Sequence, residues 1–160
     1  MKKKVLVVSD THGHLGNFDK VIQKHKDAEL IIHLGDVCND EFEINHKVKC
    51  PVLYVRGNND WSYDLPEKRI FSICGHKIFA THGHRYRVSY GLDTLVYSAM
   101  EQECDIVLFG HTHVPLIRRE YYFTIVNPGS LTYPRQVGGK PSYVIMNFVD
   151  GEVDFKLEYL

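Results

Sequence analysis

The sequence has no long hydrophobic run and no surplus of charge of either sign. Its 160 residues carry 19 Lys and Arg against 20 Asp and Glu, which gives a formal net charge of -1. A bilayer-spanning helix needs roughly 20 apolar residues, far more than any stretch here, and a dedicated duplex-DNA binder should carry a clear basic patch. We therefore expect no membrane association and no stable nucleic-acid partner, and we predict a cytoplasmic protein.

Cysteine is also scarce, and the four cysteines are widely spaced without a C-x-x-C pair. This spacing favours reduced, mostly buried thiols over a disulfide framework. No linker, repeat or shift in composition divides the chain, so we predict one domain over residues 1–160. Histidine, in contrast, is abundant: five of the ten histidines fall in three short segments that also contain Gly, Asp or Asn.

Short β-rich apolar runs alternate with polar, helix-compatible segments in the N-terminal half. This alternation predicts an α/β protein with a largely parallel sheet. Asn17 is expected to cap a first helix, and residues 90–103 have the apolar spacing of a later one. Asp150-Gly151 predicts a two-residue hairpin turn. The predicted strands are residues 4–9, 30–34, 52–56, 69–73, 77–81, 106–109, 116–121, 123–126, 143–148 and 153–159.

Five of the predicted strands end at a side chain that can bind a metal ion. In an open α/β sheet the carboxyl ends of the strands lie along one edge, which is where ligands bind. Residues two apart in an extended segment also project to the same side, so Asp10 and His12 can converge on one ion. One such segment alone is common in capped loops, but five at strand ends favour a metal site. The segments are Asp10-Thr11-His12, Gly35-Asp36, Gly57-Asn58-Asn59-Asp60, His82-Gly83-His84 and Gly110-His111-Thr112-His113.

The ligand types narrow the choice of metal. Carboxylate, amide oxygen and imidazole without thiolate suit Mn, Fe, Zn, Co or Ni, whereas a purely oxygen set would favour Mg or Ca. The sequence therefore predicts a transition-metal site at the ends of the strands.

These segments, followed by Asn127-Pro128-Gly129-Ser130, resemble the motifs of the calcineurin-like metallophosphoesterases. The resemblance covers residues 10–130. The short length and the Gly-His-Thr-His-Val-Pro segment are most similar to the small prokaryotic phosphodiesterase branch, which is related in fold to vacuolar sorting protein 29. The resemblance implies a four-layer αββα sandwich, in which helices flank two mixed β-sheets.

The resemblance also implies two divalent metal ions, manganese in the first place and Ni, Fe, Co or Zn as alternatives. A hydroxide that bridges the two metals would attack a small phosphodiester, with no nucleophile from the protein. The implied ligands are Asp10, His12, Asp36 and His113 for the first metal, Asp36 as the bridge, and Asn58, His82 and His111 for the second. The implied catalytic residues are Asn58, His82, His84 and Asp60.

The sequence departs from the family pattern at Asn59. Many phosphatases of this superfamily have a histidine there, which protonates or stabilises the leaving oxygen, and an amide cannot supply a proton. We therefore predict that the rate depends strongly on the acidity of the leaving group. His84 is a candidate for the missing acid, or else a support for a neighbouring ligand.

Other functions are compatible with the same motifs. A phosphomonoesterase would use the same two metals, and a non-catalytic scaffold could keep the fold but would be expected to lose ligands. All seven proposed ligand positions retain suitable side chains, which favours an enzyme. The balanced charge argues against a nuclease. The sequence allows a homo-oligomer and specifies neither the natural substrate nor the metal.

Overall fold

Ten β-strands form two sheets of five strands each, and the computed structural model describes all 160 residues. The strands are β1 (Lys2–Val8), β2 (Leu30–His33), β3 (Val52–Tyr54), β4 (Lys68–Ile73), β5 (His76–Thr81), β6 (Ile106–Leu108), β7 (Leu116–Arg119), β8 (Thr124–Asn127), β9 (Ser142–Val149) and β10 (Glu152–Tyr159). The helices are α1 (Gly16–Lys24), α2 (Glu41–Lys47) and α3 (Asp93–Glu101), and a short 3-10 helix covers His84–Tyr86. None of these helices has the length and apolar character needed to span a bilayer.

Both sheets are mixed, as the family resemblance implies. The first has the strand order β10-β9-β1-β2-β3, in which β1, β2 and β3 are parallel and β9 runs antiparallel to both of its neighbours. The second has the order β4-β5-β6-β8-β7, in which β5, β6 and β8 are parallel. Five of these six parallel strands, β1, β2, β3, β5 and β6, are followed by the loops that carry the five strand-end segments, and β8 leads into the Asn127-Pro128-Gly129-Ser130 motif.

Alternating side chains on β1 show how the layers form. Val5 and Val7 lie in the apolar core between the two sheets. Leu6 and Val8 point to the other side of the first sheet, where they pack with Phe18 of α1 and with α2. A third core joins the outer face of the second sheet to α3. The order helix, sheet, sheet, helix confirms the predicted four-layer sandwich.

Some local predictions were wrong. Asn17 does not cap α1, because its side-chain amide donates a hydrogen bond to the carbonyl of Leu131 at 2.7 Å and the helix begins without a side-chain cap. The later helix begins at Asp93 and not at residue 90, because Gly91 has a φ of 150°, outside the helical region. The hairpin turn is correct: Asp150 and Gly151 both have positive φ, as a type I′ turn requires.

Candidate metal centre

Four ligand-type side chains from three strand-end loops meet in a first cluster, defined as Asp10, His12, Asp36 and His113. Their ligand atoms all lie within 4.8 Å of one another. Oδ1 of Asp10 is 3.2 Å from Nε2 of His113 and 3.6 Å from Nε2 of His12. The loops after β1, β2 and β6 therefore bring together the four residues that the resemblance assigns to the first metal.

A second cluster, defined as Asn58, His82 and His111, lies beside the first. Oδ1 of Asn58 is 3.0 Å from Nε2 of His82 and 3.0 Å from Nδ1 of His111. Oδ2 of Asp36 joins the two clusters, since it lies 3.5 Å from Nε2 of His12 and 3.5 Å from Nε2 of His82. All seven side chains proposed as ligands thus face one place, with a shared carboxylate between them.

Backbone carbonyls fix the orientation of two of the imidazoles. Nδ1 of His82 lies 2.6 Å from the carbonyl oxygen of Leu34, and Nδ1 of His113 lies 2.6 Å from that of Tyr133. A carbonyl can only accept, so each Nδ1 must carry the hydrogen. The Nε2 atoms of both rings are then the ones that face the clusters, an arrangement typical of histidines that bind metals.

The carboxylate of Asp10 provides a test of whether a cation fits. Its Oδ2 atom accepts hydrogen bonds from the Ser9 hydroxyl at 2.5 Å and from the His111 N–H at 3.1 Å. Its Oδ1 atom is buried and has no hydrogen-bond partner, which is costly for an ionised oxygen. That oxygen faces imidazole nitrogens, a donor set that suits a divalent transition metal. The residues therefore fit the metal that the sequence predicts.

Most of the proposed ligands have a strained backbone. Non-glycine residues with positive φ are uncommon and cluster at functional sites. At Gly57, in turn, any side chain would collide with the carboxylate and the backbone N–H of Asp36. The loops hold these conformations because hydrogen bonds and close packing fix them. The ligands with positive φ are Asp10 (56°), His12 (50°), Asp36 (55°), His111 (70°) and His113 (60°).

The clusters are also strongly coupled in charge. Burial alone would raise the pKa of Asp10, but the rings of His113 and His12 and the charge of His82 hold that pKa well below its usual value. Burial also opposes ionisation of Asp36, yet His82 lowers its pKa to about 2. Burial disfavours the charged form of His82, but Asp36 and Asp10 raise its pKa to about 9. Before a metal binds, both carboxylates are therefore ionised at neutral pH, and His82 is positively charged, with a proton on Nε2 as well as on Nδ1.

Metal affinity is expected to increase with pH up to about 9 and to level off above it, because a metal must displace the proton on His82. Each pH unit below that value should weaken binding about tenfold, while Asp10 and Asp36 keep their charge throughout this range. Calorimetric titration with Mn²⁺ in buffers of different ionisation heat measures the protons released. An affinity that is the same at neutral pH and at pH 9 would contradict the expectation.

Asp60 faces the backbone of the ligand loops and not the clusters. Its Oδ2 atom accepts hydrogen bonds from the N–H groups of Asp36 and Gly57, both at 2.8 Å. Its Oδ1 atom accepts a third from the N–H of Cys38, also at 2.8 Å. The buried carboxylate thereby joins the loops that carry Asp36 and Asn58.

Asn59 and His84, the two residues considered for proton transfer, have different neighbours in the site. The backbone and side-chain amides of Asn59 donate to Oδ1 and Oδ2 of Asp36, at 2.9 and 3.0 Å. The half-buried ring of His84 is 5.4 Å from the ring of His82 and 6.2 Å from that of His111. Burial, followed by the charges of His82 and His111, lowers the pKa of His84 to about 4. Its ring is therefore neutral at pH 7.

Hydrogen bonds from residues outside the proposed ligand set hold the loops together. The side-chain amide of Asn127 donates to the carbonyl of Gly110 at 3.0 Å, and the hydroxyl of Ser130 donates to the carbonyl of Asp10 at 2.8 Å. His33, fully buried, accepts the N–H of Gly35 on Nδ1 at 3.2 Å, and its Nε2 lies 2.9 Å from the hydroxyl of Thr11. The Asn-Pro-Gly-Ser motif pointed to Asn127 and Ser130. Sequence reasoning missed His33, because a histidine inside a buried strand has no distinctive pattern.

Known proteins are similar to this chain over most of its length. Phosphodiesterase MJ0936 of Methanocaldococcus jannaschii is 32% identical over 146 residues, which cover 79% of this chain and 82% of that protein. A crystal structure of a predicted phosphoesterase from Streptococcus pneumoniae has a TM-score of 0.81 and 27% identity, covering 100% of this chain and 99% of that one.

The relation to Vps29 is one of fold. Vps29 from Entamoeba histolytica, crystallised in complex with Zn²⁺, is 22% identical with a TM-score of 0.76 and covers 98% of each chain. The family model described as the calcineurin-like phosphoesterase superfamily domain matches residues 3–151. The predicted family is confirmed: this chain belongs to the calcineurin-like phosphoesterase superfamily.

Proposed function

We propose that this protein is a phosphodiesterase that binds two divalent cations, preferably Mn²⁺, and hydrolyses a small phosphodiester. The observation that carries the proposal is the position of Asp36, whose Oδ2 atom lies 3.5 Å from an imidazole nitrogen of each cluster. Asp36 is thus placed to serve both ions, and it lies closer to His82 than does Asp10, whose Oδ1 atom is 3.8 Å from Nε2 of that ring. The name of the M. jannaschii relative supports a diester as the substrate.

The side chains of the two clusters would hold the ions, and their neighbours would hold the side chains. When bound, two cations lower the pKa of a water molecule and neutralise charge on the phosphate. Leu34 and Tyr133 keep Nε2 of His82 and His113 available through their carbonyl groups. Asp60 would act as a positioning residue, because its carboxylate accepts three hydrogen bonds, all from backbone N–H groups.

A non-catalytic scaffold is the main alternative from another functional class. Vps29 shares the fold and has been crystallised with Zn²⁺, so metal binding alone does not separate the two functions. A scaffold has no need of seven converging ligand side chains, five with a strained backbone and four buried, and this chain keeps all seven close together. The cytoplasmic location and the homo-oligomer stay predictions.

The test is hydrolysis of paired nitrophenyl esters by the protein loaded with Mn²⁺, together with metal analysis. We expect two Mn²⁺ per chain and a higher kcat/KM for bis-p-nitrophenyl phosphate than for p-nitrophenyl phosphate. The reverse order would make the protein a phosphomonoesterase. Two bound metals without turnover of either ester would favour the scaffold.

The rate is expected to fall steeply as the leaving group becomes a weaker acid. Asn59 donates to Asp36 and carries no transferable proton, and neutral His84 is a poor acid at pH 7. A series of aryl methyl phosphates with phenols of increasing pKa measures the slope of log kcat/KM. The His84→Asn variant is expected to give the same slope. Equal rates along the series would mean that another residue donates the proton.

A further inference from the structure

An exposed aromatic ring stands beside the first cluster and has no part in the proposed chemistry. The ring centroid of Tyr133 is 5.4 Å from that of His12, a ligand of the first cluster, with the planes at 65°. It is also 5.8 Å from the ring of His14, with the planes at 88°. The Tyr133 side chain therefore packs between two imidazoles at the edge of the metal centre.

The backbone of Tyr133 is fixed relative to the metal ligands. Its N–H donates to the hydroxyl of Ser130 at 2.9 Å, and its carbonyl accepts the Nδ1 hydrogen of His113 at 2.6 Å. Two residues later, the N–H of Arg135 donates to the carbonyl of His113 at 3.0 Å. These bonds involve only the backbone at position 133, so a change of side chain there leaves them in place.

Folding does not account for a tyrosine at this position. The ring of Tyr133 is 49% exposed and belongs to none of the three apolar cores. Tyr143, in contrast, is buried in the core below α1, and its hydroxyl lies 2.8 Å from Nε2 of His25. An aromatic ring that is fixed in place, faces solvent and lies beside the proposed metal centre is suited to contact with a ligand.

We propose that Tyr133 is a specificity-determining residue, which packs against a flat ring carried by the phosphate ester. The proposal rests on the proposed function, because the phosphate must lie at the two clusters. The Tyr133 ring is 5.4 Å from the ring of His12, so an ester group attached to a phosphate at the clusters can contact Tyr133. Aromatic packing of this kind favours aryl and nucleoside esters over small alkyl esters, with little regard to the identity of the ring.

Phenylphosphonate and methylphosphonate test the proposal without turnover, because hydrolysis does not cleave their carbon–phosphorus bonds. Calorimetry with the Mn²⁺-loaded protein should show that phenylphosphonate binds about tenfold more tightly than methylphosphonate. Tyr133→Ala should remove this preference by weakening phenylphosphonate alone, with unchanged metal content. Tyr133→Phe keeps the ring and should keep the preference. Tyr97→Ala, which removes an exposed tyrosine of α3, is the matched control.

Three results would overturn the proposal: equal affinity of the parent protein for both phosphonates, an unchanged preference in Tyr133→Ala, or equal weakening of both ligands. The last result would mean that the side chain acts on the clusters through His12 and not on the ligand. Diester hydrolysis is measured separately. A clear preference for phenylphosphonate in a protein that hydrolyses no diester would reject the proposed function and leave the role of Tyr133 in place.

Discussion

Asp36→Asn is expected to lower kcat/KM for a phosphodiester by about 10³-fold, since several kcal/mol of charge stabilisation depend on the metals. Asp36 is the carboxylate whose Oδ2 atom lies 3.5 Å from His12 and from His82. The substitution replaces the carboxylate with an amide of the same shape, so the negative charge between the clusters is lost. Both sites lose a ligand, so the bound metal should fall below two per chain.

His111→Ala and Asp64→Asn make this result interpretable. His111→Ala removes a donor from the second cluster only, so we expect loss of about one metal while the first cluster keeps its four ligands. Asp64 is exposed and lies in the chain segment that follows Asp60, so its substitution should change neither metal content nor rate. Unchanged metal content and turnover in Asp36→Asn would remove the proposed mechanism.

The sequence pattern was sufficient to predict the strands and the gathering of the ligands, but it predicted one largely parallel sheet, and only the family resemblance implied the two mixed sheets that the structure shows. Buried parallel strands appear as nearly continuous apolar runs such as Leu30–His33, which is fully buried. Because the loops that follow such strands meet at one edge, the order of motifs along the chain also predicts their proximity in space. His82 and Asn58 follow strands of different sheets, so their approach to 3.0 Å also requires that the two sheets pack with these strand ends on the same side.

The direction of individual side chains could not be predicted in the same way. Asp60 and Asp36 are both acidic residues in loops that follow parallel strands, yet Asp36 faces the clusters and Asp60 faces the backbone. Asn17 has the sequence position of a helix cap, but a carbonyl distant in sequence takes its hydrogen bond. Tyr133 packs against His12, which is distant in sequence, and no local sequence pattern predicts that contact. Each of these side-chain directions depends on tertiary contacts, which cannot be predicted from residue propensities or from the spacing of motifs.

Asp60→Asn is expected to weaken Mn²⁺ binding about 10- to 100-fold, as for other residues that support metal ligands. The carboxylate accepts three backbone N–H groups at 2.8 Å, and an amide would turn a donor toward at least one of them. A buried N–H without a partner costs about 1–3 kcal/mol, so the melting temperature should also fall by several degrees. The loops of Asp36 and Asn58 would then hold the ligands less firmly.

The dependence of the rate on Mn²⁺ concentration distinguishes a positioning role for Asp60 from a direct catalytic one. If Asp60 acts through the ligand loops, kcat at saturating Mn²⁺ should approach that of the parent protein. If Asp60 contacts the substrate, kcat should stay low however much metal is added. Asp105→Asn is the matched control, because Asp105 accepts the N–H of Lys77 at 2.8 Å and lies 2.6 Å from Nδ1 of His76. Its position before β6 is at the opposite end of the strands from the metal centre, so its loss should lower stability without changing the affinity for Mn²⁺.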